Sequence, residues 1–413
     1  MRLTERHTIR KGHKYYEVLD SEAYKSKNLY NAALYAVRQH FFDNGKYLSY
    51  YSLQNIFQNG KQKDYYALPT KVAQQTMKML DKNFRSFFNA LSSYKNSAAK
   101  FKGRPKIPRY LDKDNGRYVL IYTVQAISKK RLEADKVIKL SGIEVEIPTA
   151  VKYDSLCEVR VVRKPNTYVV EVVYDNGKKE AKHVDNGMYA AIDLGVSNFS
   201  TVTSNAKGFQ PFIVDGRYIK SVNRYYNKEL SHYKSILDSR NKGKKVSNRI
   251  YRLTEKRNNR MSDFVHKASR MIVNQLVSND IHTLVVGYNQ GWKQDINIGR
   301  RNNQSFVQIP FERFLSLLDY KCRMGGIKLL TVDESYTSKC SFLDGEDICK
   351  HDAYLGRRVK RGLFKSADGT LINADVNGSY NILRKCMPNA FDADGVVGVL
   401  VHPVVMKTTN AFH

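Results

Sequence analysis

The sequence predicts an α/β protein of more than one domain, and three features of the 413-residue chain predict it. The length exceeds what one core usually serves. The first half passes from helical periodicity to short alternating β runs, and the second half alternates apolar strands with long helices.

Taken in order, residues 1–20 read as a short basic strand region. From Ser21 the pattern turns helical, with Leu29, Ala32, Ala33, Val37 and Phe41 forming an apolar stripe. A second helix spans about Thr70 to Ser93, where Val72, Met77, Leu80, Phe84, Phe87 and Phe88 alternate with basic and amide residues. Pro69 precedes it, as helix starts tolerate. The stretch FKGRPKIPRYLDKDNGR breaks the helical pattern. Between Tyr118 and Tyr174 the runs YVLIYTV, KVIKL, IEVEIP, EVRVVRK and TYVVEVVY predict a small antiparallel barrel or sandwich. DNGKKEAKHVDNG reads as a polar linker.

A new unit begins at Met188. MYAAIDLG and NFSTVTS predict a hairpin and GFQPFIVDG a third strand. Two long basic helices follow, near 217–240 and 247–279, separated by a turn carrying Lys242, Lys244 and Lys245. Then come the buried strand HTLVVGY, a helix over Pro310 to Met324, the strand IKLLTVDE, a long basic loop and a last helix at Asp375. This order matches an RNase H-like sheet, whose later strands run parallel to the first. Strands buried on both faces read as continuous apolar runs, as TLVV does. The tail after Pro388 is expected to lack order.

A formal net charge of +30, from 69 Lys plus Arg against 39 Asp plus Glu, points to a polyanionic partner. Each phosphate contact releases condensed counterions. At 42% hydrophobic residues the chain still supports real cores, which excludes wholesale disorder. Five scattered cysteines argue for a reducing compartment. The apolar stretch Gly395 to Met406 is too short to cross a bilayer, so the expected location is cytoplasmic, at a prokaryotic nucleoid, with no membrane partner.

Asp193 ends the apolar strand YAAI, where a buried charge is unfavourable unless something binds it. Asp375 lies at the start of the last helix. Alone, the first reads equally well as a turn residue before Gly195 and the second as an N-cap. Together they stand at the two places where an RNase H-like fold converges its acids. Phosphodiester hydrolysis needs an activated water and a neutralised leaving oxygen, which two carboxylate-bridged Mg²⁺ ions about 3.5–4 Å apart supply. Mg²⁺ prefers hard oxygen ligands over cysteine sulfur. A third acid is expected at the end of the fourth strand, where Gly287 stands instead. Glu334 on the next strand could span the gap of about 4.8 Å, the glycine removing the side chain in its way. Asp333 should point to the opposite face, so only one of the two can serve, and Glu334 has the longer reach.

At this point the sequence resembles the TnpB family, insertion-sequence nucleases related to type V CRISPR effectors. AAIDLGVSNFSTV, TLVVGYNQGWKQ, ESYTSKCS and NADVNGSYNILRK carry the resemblance, with weaker support from LPTKVAQQTMKMLDKNFRSFF and KGRPKIPR. It implies a transposon-encoded DNA endonuclease, guided by RNA from the transposon end, that cleaves a double-stranded DNA target in a RuvC site with Mg²⁺. Asp193, Glu334 and Asp375 would be the catalytic metal ligands. The layout implied is a barrel (WED-like) over 1–20 and 111–184, interrupted by a helical recognition insert at 21–110. A RuvC-like domain follows over 185–388, with a helical insertion at 217–280 and a degenerate finger at 337–370, and 389–413 form the tail. Base pairing would read most of the target. Gly287 departs from the usual second acid, but a branch of the family uses a displaced glutamate, and Glu334 sits where that places it. A cleavage-dead, RNA-guided repressor and a DDE-type transposase are the alternatives. The family's two CxxC pairs are missing: only Cys340, Cys349 and His351 remain, and FKSADG stands where the second pair belongs, so zinc is not expected.

Lys71 and Gln75 share a helix face that, by resemblance, meets DNA beside the target. Lys102, Arg104, Lys106 and Arg109 form a basic loop assigned to RNA, and Arg357 and Arg358, with Lys360 and Arg361, precede Asp375 and are assigned to DNA.

Overall fold

Residues 1–177, 181–240, 246–289, 307–391 and 401–408 are described by a computed structural model. Lys242, Lys244 and Lys245, and the GWKQ end of the TLVVGYNQGWKQ motif, lie outside the described residues. The chain divides into two units, 1–178 and 179–413.

In the first unit, β1 (Arg2–Arg10) is followed by four helices, α1 (Tyr16–Asn44), α2 (Tyr50–Asn59), α3 (Lys63–Tyr66) and α4 (Thr70–Asn96). After them come β2 (Leu120–Thr123), α5 (Lys129–Asp135), β3 (Val137–Lys139), β4 (Glu146–Pro148), β5 (Leu156–Lys164) and β6 (Thr167–Asp175). The strands form a four-stranded sheet in the order β1-β6-β5-β2, antiparallel throughout, and a separate β3-β4 ribbon. Arg2 pairs with Asp175, so the N-terminal strand returns to a partner more than 160 residues away, across all four helices. The expected barrel resolves into these two sheets because helices fill the core. Leu19, Ala23, Leu34, Val72, Met77 and Leu80 pack with Val159, Val161 and Val170 in one cluster. The first helix also begins earlier than expected, since Tyr16 and Leu19 are buried on the same stripe.

The second unit holds a six-stranded sheet. Its strands are β7 (Tyr189–Leu194), β8 (Asn198–Ser204), β9 (Phe212–Asp215), β10 (Thr283–Gly287), β11 (Lys328–Val332) and β15 (Val404–Met406), in the order β11-β10-β7-β8-β9-β15. The hairpin β7-β8-β9 is antiparallel, and β10 and β11 run parallel to β7. Helices α6 (Arg217–Arg240), α7 (Asn248–Ser278) and α8 (Phe311–Met324) intervene, and α9 (Ala374–Cys386) follows a small sheet of β12 (Arg357–Lys360), β13 (Leu363–Lys365) and β14 (Leu371–Asn373). That sheet occupies what the sequence reads as a long loop. The tail is likewise not wholly without structure: Val404–Met406 pair in parallel with Phe212–Val214, extending the main sheet at its edge.

Strand alternation divides this sheet into two faces. Ala190 and Ile192 pack with Met261, Ile272 and Phe314 of α7 and α8. Ala191 and Val285 pack on the other face with Ile382 and Leu383 of α9. Ser379 pins α9 there, its hydroxyl within hydrogen-bond distance of the carbonyls of Ala191 (3.1 Å) and Thr201 (3.2 Å) and of Thr203 Oγ1 (2.9 Å). No helix among the described residues is long and apolar enough to cross a membrane.

Candidate active site

The parity that sends Ala191 toward α9 sends Asp193 the same way. Helix α9 approaches so closely at Gly378 that an added Cβ would lie 3.0 Å from Asp193 Oδ2. Asp193 is thus set under the helix's first turns, at the C-terminal end of β7. Burial pushes its carboxyl well above the usual range, and the charges of Asp375 and Glu334 push it further; Arg358 opposes them.

Asp375 is the second residue of α9, not its cap. The cap is Asn373, whose side chain accepts from the backbone N–H of Asp375 (3.0 Å) and of Val376 (3.2 Å). Freed from capping, the Asp375 carboxylate accepts a hydrogen bond from Asn198 Nδ2 (2.5 Å) and lies 3.6 Å from Arg358 Nη2.

Val332 faces α9 with Val285, and Glu334, two residues on, shares its parity. The Glu334 backbone N–H donates to Asn289 Oδ1 (3.1 Å), which ties the end of β11 to the loop after β10. Gly287 lies between: a Cβ there would meet Glu334 Oε2 at 3.1 Å and Ile382 Cδ1 at 2.6 Å. Burial, and secondarily Asp333, raise the Glu334 carboxyl to about 7. Asp333 turns the other way. It accepts from the Ser335 N–H (2.9 Å), pairs with Lys385 Nζ (3.4 Å), and these contacts hold its carboxyl below the usual range.

Three acids from distant parts of the chain therefore face one another electrostatically at the C-terminal ends of parallel strands. Among the described residues no three His, Cys, Asp or Glu side chains lie close enough to hold a metal ion as they stand, these included.

Comparison with known proteins adds to this geometry. Residues 167–293 match the family model described as a probable transposase, OrfB_IS605, and 311–382 match the Cas12f1-like TNB domain. A TnpB-like protein, ORF457 of Acidianus two-tailed virus, is 23% identical over 92% of this chain and 83% of its own. These matches support a TnpB-family protein. The chain is also 25% identical to the CRISPR-associated endodeoxyribonuclease Cas12f2 of Micrarchaeota archaeon (strain CG1_02_47_40). That match covers 56% of the chain and 45% of the relative, so the chain spans less than half of that relative. Among solved structures, a Cas12f1–sgRNA–target DNA complex aligns over 92% of the chain and 98% of its own at 15% identity, with a TM-score of 0.36.

Other residues singled out in the sequence fall in different places. Lys71 is exposed and Gln75 half-buried, both near the N-terminal end of α4. Lys102, Arg104, Lys106 and Arg109 are all exposed, in the irregular stretch before β2. Arg357 and Arg358 lie on the exposed strand β12, from which Arg358 reaches Asp375. Arg361 Nη2 and Lys220 Nζ reach Ser197 Oγ, at 3.4 and 3.3 Å, beside Asn198. Cys340 is buried and Cys349 exposed. Cys349 Sγ lies 3.4 Å from His351 Nε2, while Cys340 Sγ points to the carbonyl of Cys349 (3.7 Å). Sequence reasoning missed Asn198, Asn289 and Gly378. Their only signal is position, in VSNFS, GYNQ and VNGSY beside the residues it did find.

Proposed function

We propose that this TnpB-family chain is an RNA-guided DNA endonuclease whose second unit is an RNase H-like, RuvC-type domain with Asp193, Glu334 and Asp375 as its catalytic acids. The observation that carries the proposal is the passage of Glu334 over Gly287 toward the two aspartates. Counting the hairpin strands as one to three and β10 and β11 as four and five, the sheet order is 3-2-1-4-5 with only the second strand antiparallel to the first, the order expected of that fold. The family supports the rest: relatives of the chain include a CRISPR-associated endodeoxyribonuclease.

The chemistry of the donor set suits divalent Mg²⁺, which would draw together three hard carboxylates, the Asp193 carboxyl being held high by burial and by the charges of the other two. Bound there, such ions would supply an activated water and charge neutralisation at the leaving oxygen. The chain's own residues do the positioning. Asn198 orients the Asp375 carboxylate, Asn289 fixes the backbone from which Glu334 departs, and Gly378 lets α9 descend onto Asp193. Arg358, half-exposed and 3.6 Å from Asp375, is placed to meet a phosphate of the strand being cut. In the first unit, the exposed loop of Lys102, Arg104, Lys106 and Arg109 is assigned to guide-RNA backbone and Lys71 with Gln75 to target-adjacent DNA.

The test is cleavage of a labelled duplex by protein carrying its co-purified RNA, with Mg²⁺ added. Cutting by the wild type and its loss in Asp193→Ala, Glu334→Ala and Asp375→Ala, with target binding retained, is the expected result. RNA-dependent binding without cutting in the wild type would make the chain a guided binder instead.

A further inference from the structure

In the TnpB family two cysteine pairs usually bind zinc between the last two RuvC segments; here the residues present do not fit that ion. Cys340 and Cys349 are not turned toward one centre, and among the described residues no three ligand side chains converge in 337–373. The region is nevertheless ordered into the three-stranded sheet β12-β13-β14. Something else must join its parts.

Glu346 is the candidate. The residue is 5% exposed, and among the described residues no cationic side chain forms an ion pair with its carboxylate. Oε2 accepts from the backbone N–H of Ser341 (2.7 Å) and Oε1 from that of Leu355 (2.8 Å), so one carboxylate ties the turn at 341 to the backbone that leads into β12. The grip is reciprocated, since the Glu346 N–H donates to the Ser341 carbonyl (3.1 Å) and Arg384 of α9 donates to the Glu346 carbonyl. The rest of the 337–342 turn is seized by α9 as well. Asn381 donates to the carbonyls of Thr337 and Cys340, Asn377 donates to Cys340 and accepts from the Phe342 N–H, and Phe342 stacks on Tyr380 at 4.6 Å. At FKSADG, where the second cysteine pair is missing, the Ala367 N–H donates to Asp344 Oδ2 (2.9 Å).

We infer that the Glu346 carboxylate does in this chain what a finger metal does elsewhere: it closes the segment without zinc and so positions the arm that carries Arg357 and Arg358. Leu355, which it holds, precedes Arg358 by three residues, with Gly356 lying flat on the Phe364 ring between them. Glu346 is a positioning residue, acting through Arg358. The assignment of the arm to cleavage rests on the function proposed above, whereas the zinc-free closure does not.

The chemistry sets a sharp test. Both gripped groups are N–H donors, so both side-chain oxygens must accept. A glutamine of the same shape offers one acceptor and turns an NH₂ against the other donor. Glu346→Gln should therefore fail where an ordinary packing role would tolerate it. Hydrogen exchange is read by mass spectrometry on peptides covering 340–342 and 353–356 of the full chain with its RNA. In Glu346→Gln both should exchange roughly ten- to a hundredfold faster than in the wild type, the factor expected for losing a hydrogen bond to a charged acceptor. Single-turnover cleavage should slow at unchanged target affinity. In the wild type, dialysis against a chelator followed by return of Mg²⁺ should leave the same peptides protected and no stoichiometric zinc, and Cys349→Ser should melt as the wild type does. Exchange in Glu346→Gln equal to the wild type overturns the inference. So does zinc at one per chain whose removal unprotects these peptides. Should Glu346→Gln not fold, the chelated wild type decides alone. A wild type that never cuts DNA would sink the proposed nuclease while leaving the exchange result standing.

Discussion

Replacing Gly287 by alanine adds one methyl group at the point where the candidate site is tightest. Its carbon would lie 2.6 Å from Ile382 Cδ1, 3.2 Å from Ile382 Cγ1 and 3.1 Å from Glu334 Oε2. Carbon atoms rest about 3.5–4.0 Å apart, so the tip of Ile382 must retreat by about 1 Å. It has little room, since Ile382 is fully buried against Ala191, Val285 and Leu383. Overpacking of this kind costs about 1–3 kcal/mol. The oxygen of Glu334 must also give way by a few tenths of an ångström, which uses up most of the roughly 0.5 Å within which a catalytic group has to be held. Gly287→Ala should therefore lower stability by that amount and slow single-turnover cleavage by roughly three- to tenfold, a fraction of the hundredfold that a full 1 Å misplacement costs, with target affinity unchanged. Ile382→Val separates the two effects, because it removes the Cδ1 atom and leaves the contact with Glu334. The double variant should regain most of the stability, measured by urea unfolding, and little of the cleavage. Recovery of both would show that the glycine makes room only for Ile382, and the passage for Glu334 would be refuted; so would full activity in Gly287→Ala.

Glu334→Ala should abolish cleavage, whereas Asp333→Ala, which removes only a turn acceptor and an exposed pair with Lys385, should reduce it less than about threefold in the same assay. The Glu334 carboxyl, raised from 4.5 to about 7, binds its proton more tightly folded than unfolded. Protonated, it is stabilising; that contribution is complete below pH 4.5 and is lost as pH rises to about 7, on the order of 3 kcal/mol. Urea unfolding of the chelated protein should show this decline, and Glu334→Gln should flatten it; a decline of equal size in the variant would count against the burial. Lys321 is buried, its Nζ donating to the His266 carbonyl (2.7 Å) and to Ser269 Oγ (2.6 Å), and burial, with the positive charge of Arg270 adding to it, lowers it to about 8. Its folded state gives up the proton more readily, so stability should rise between about pH 8 and 10.5, and Lys321→Met should raise stability at pH 7 by about 1–3 kcal/mol in thermal melts.

Legibility in the sequence follows the range of the forces involved. Period-two and period-3.6 patterns are local, so the hairpin at Met188, the strand TLVVG and the helices after Arg217 and Asn248 are visible in the residues themselves. Parity is local too, which is why the sequence alone tells Glu334 and Asp333 apart. What sequence reading misses is set by partners far along the chain. Alternating strands suggest a barrel, but the strands form two separate sheets, and α1 and α4, inserted between β1 and β2, bring the apolar side chains that a barrel would draw from its own strands. A three-residue strand at Val404 is unreadable by periodicity and is made by its parallel partner β9. Asp375 looks like a cap because the side chain that competes for the role, Asn373, is equally suited to it; the competition is decided by Asn198 and Arg358, which hold the aspartate elsewhere. The same logic explains why the segment 337–373 reads as degenerate. A metal site announces itself through cysteine spacing, but a carboxylate that receives two backbone N–H groups leaves no spacing at all. Any buried Glu could do it, and only the fold shows that Glu346 does.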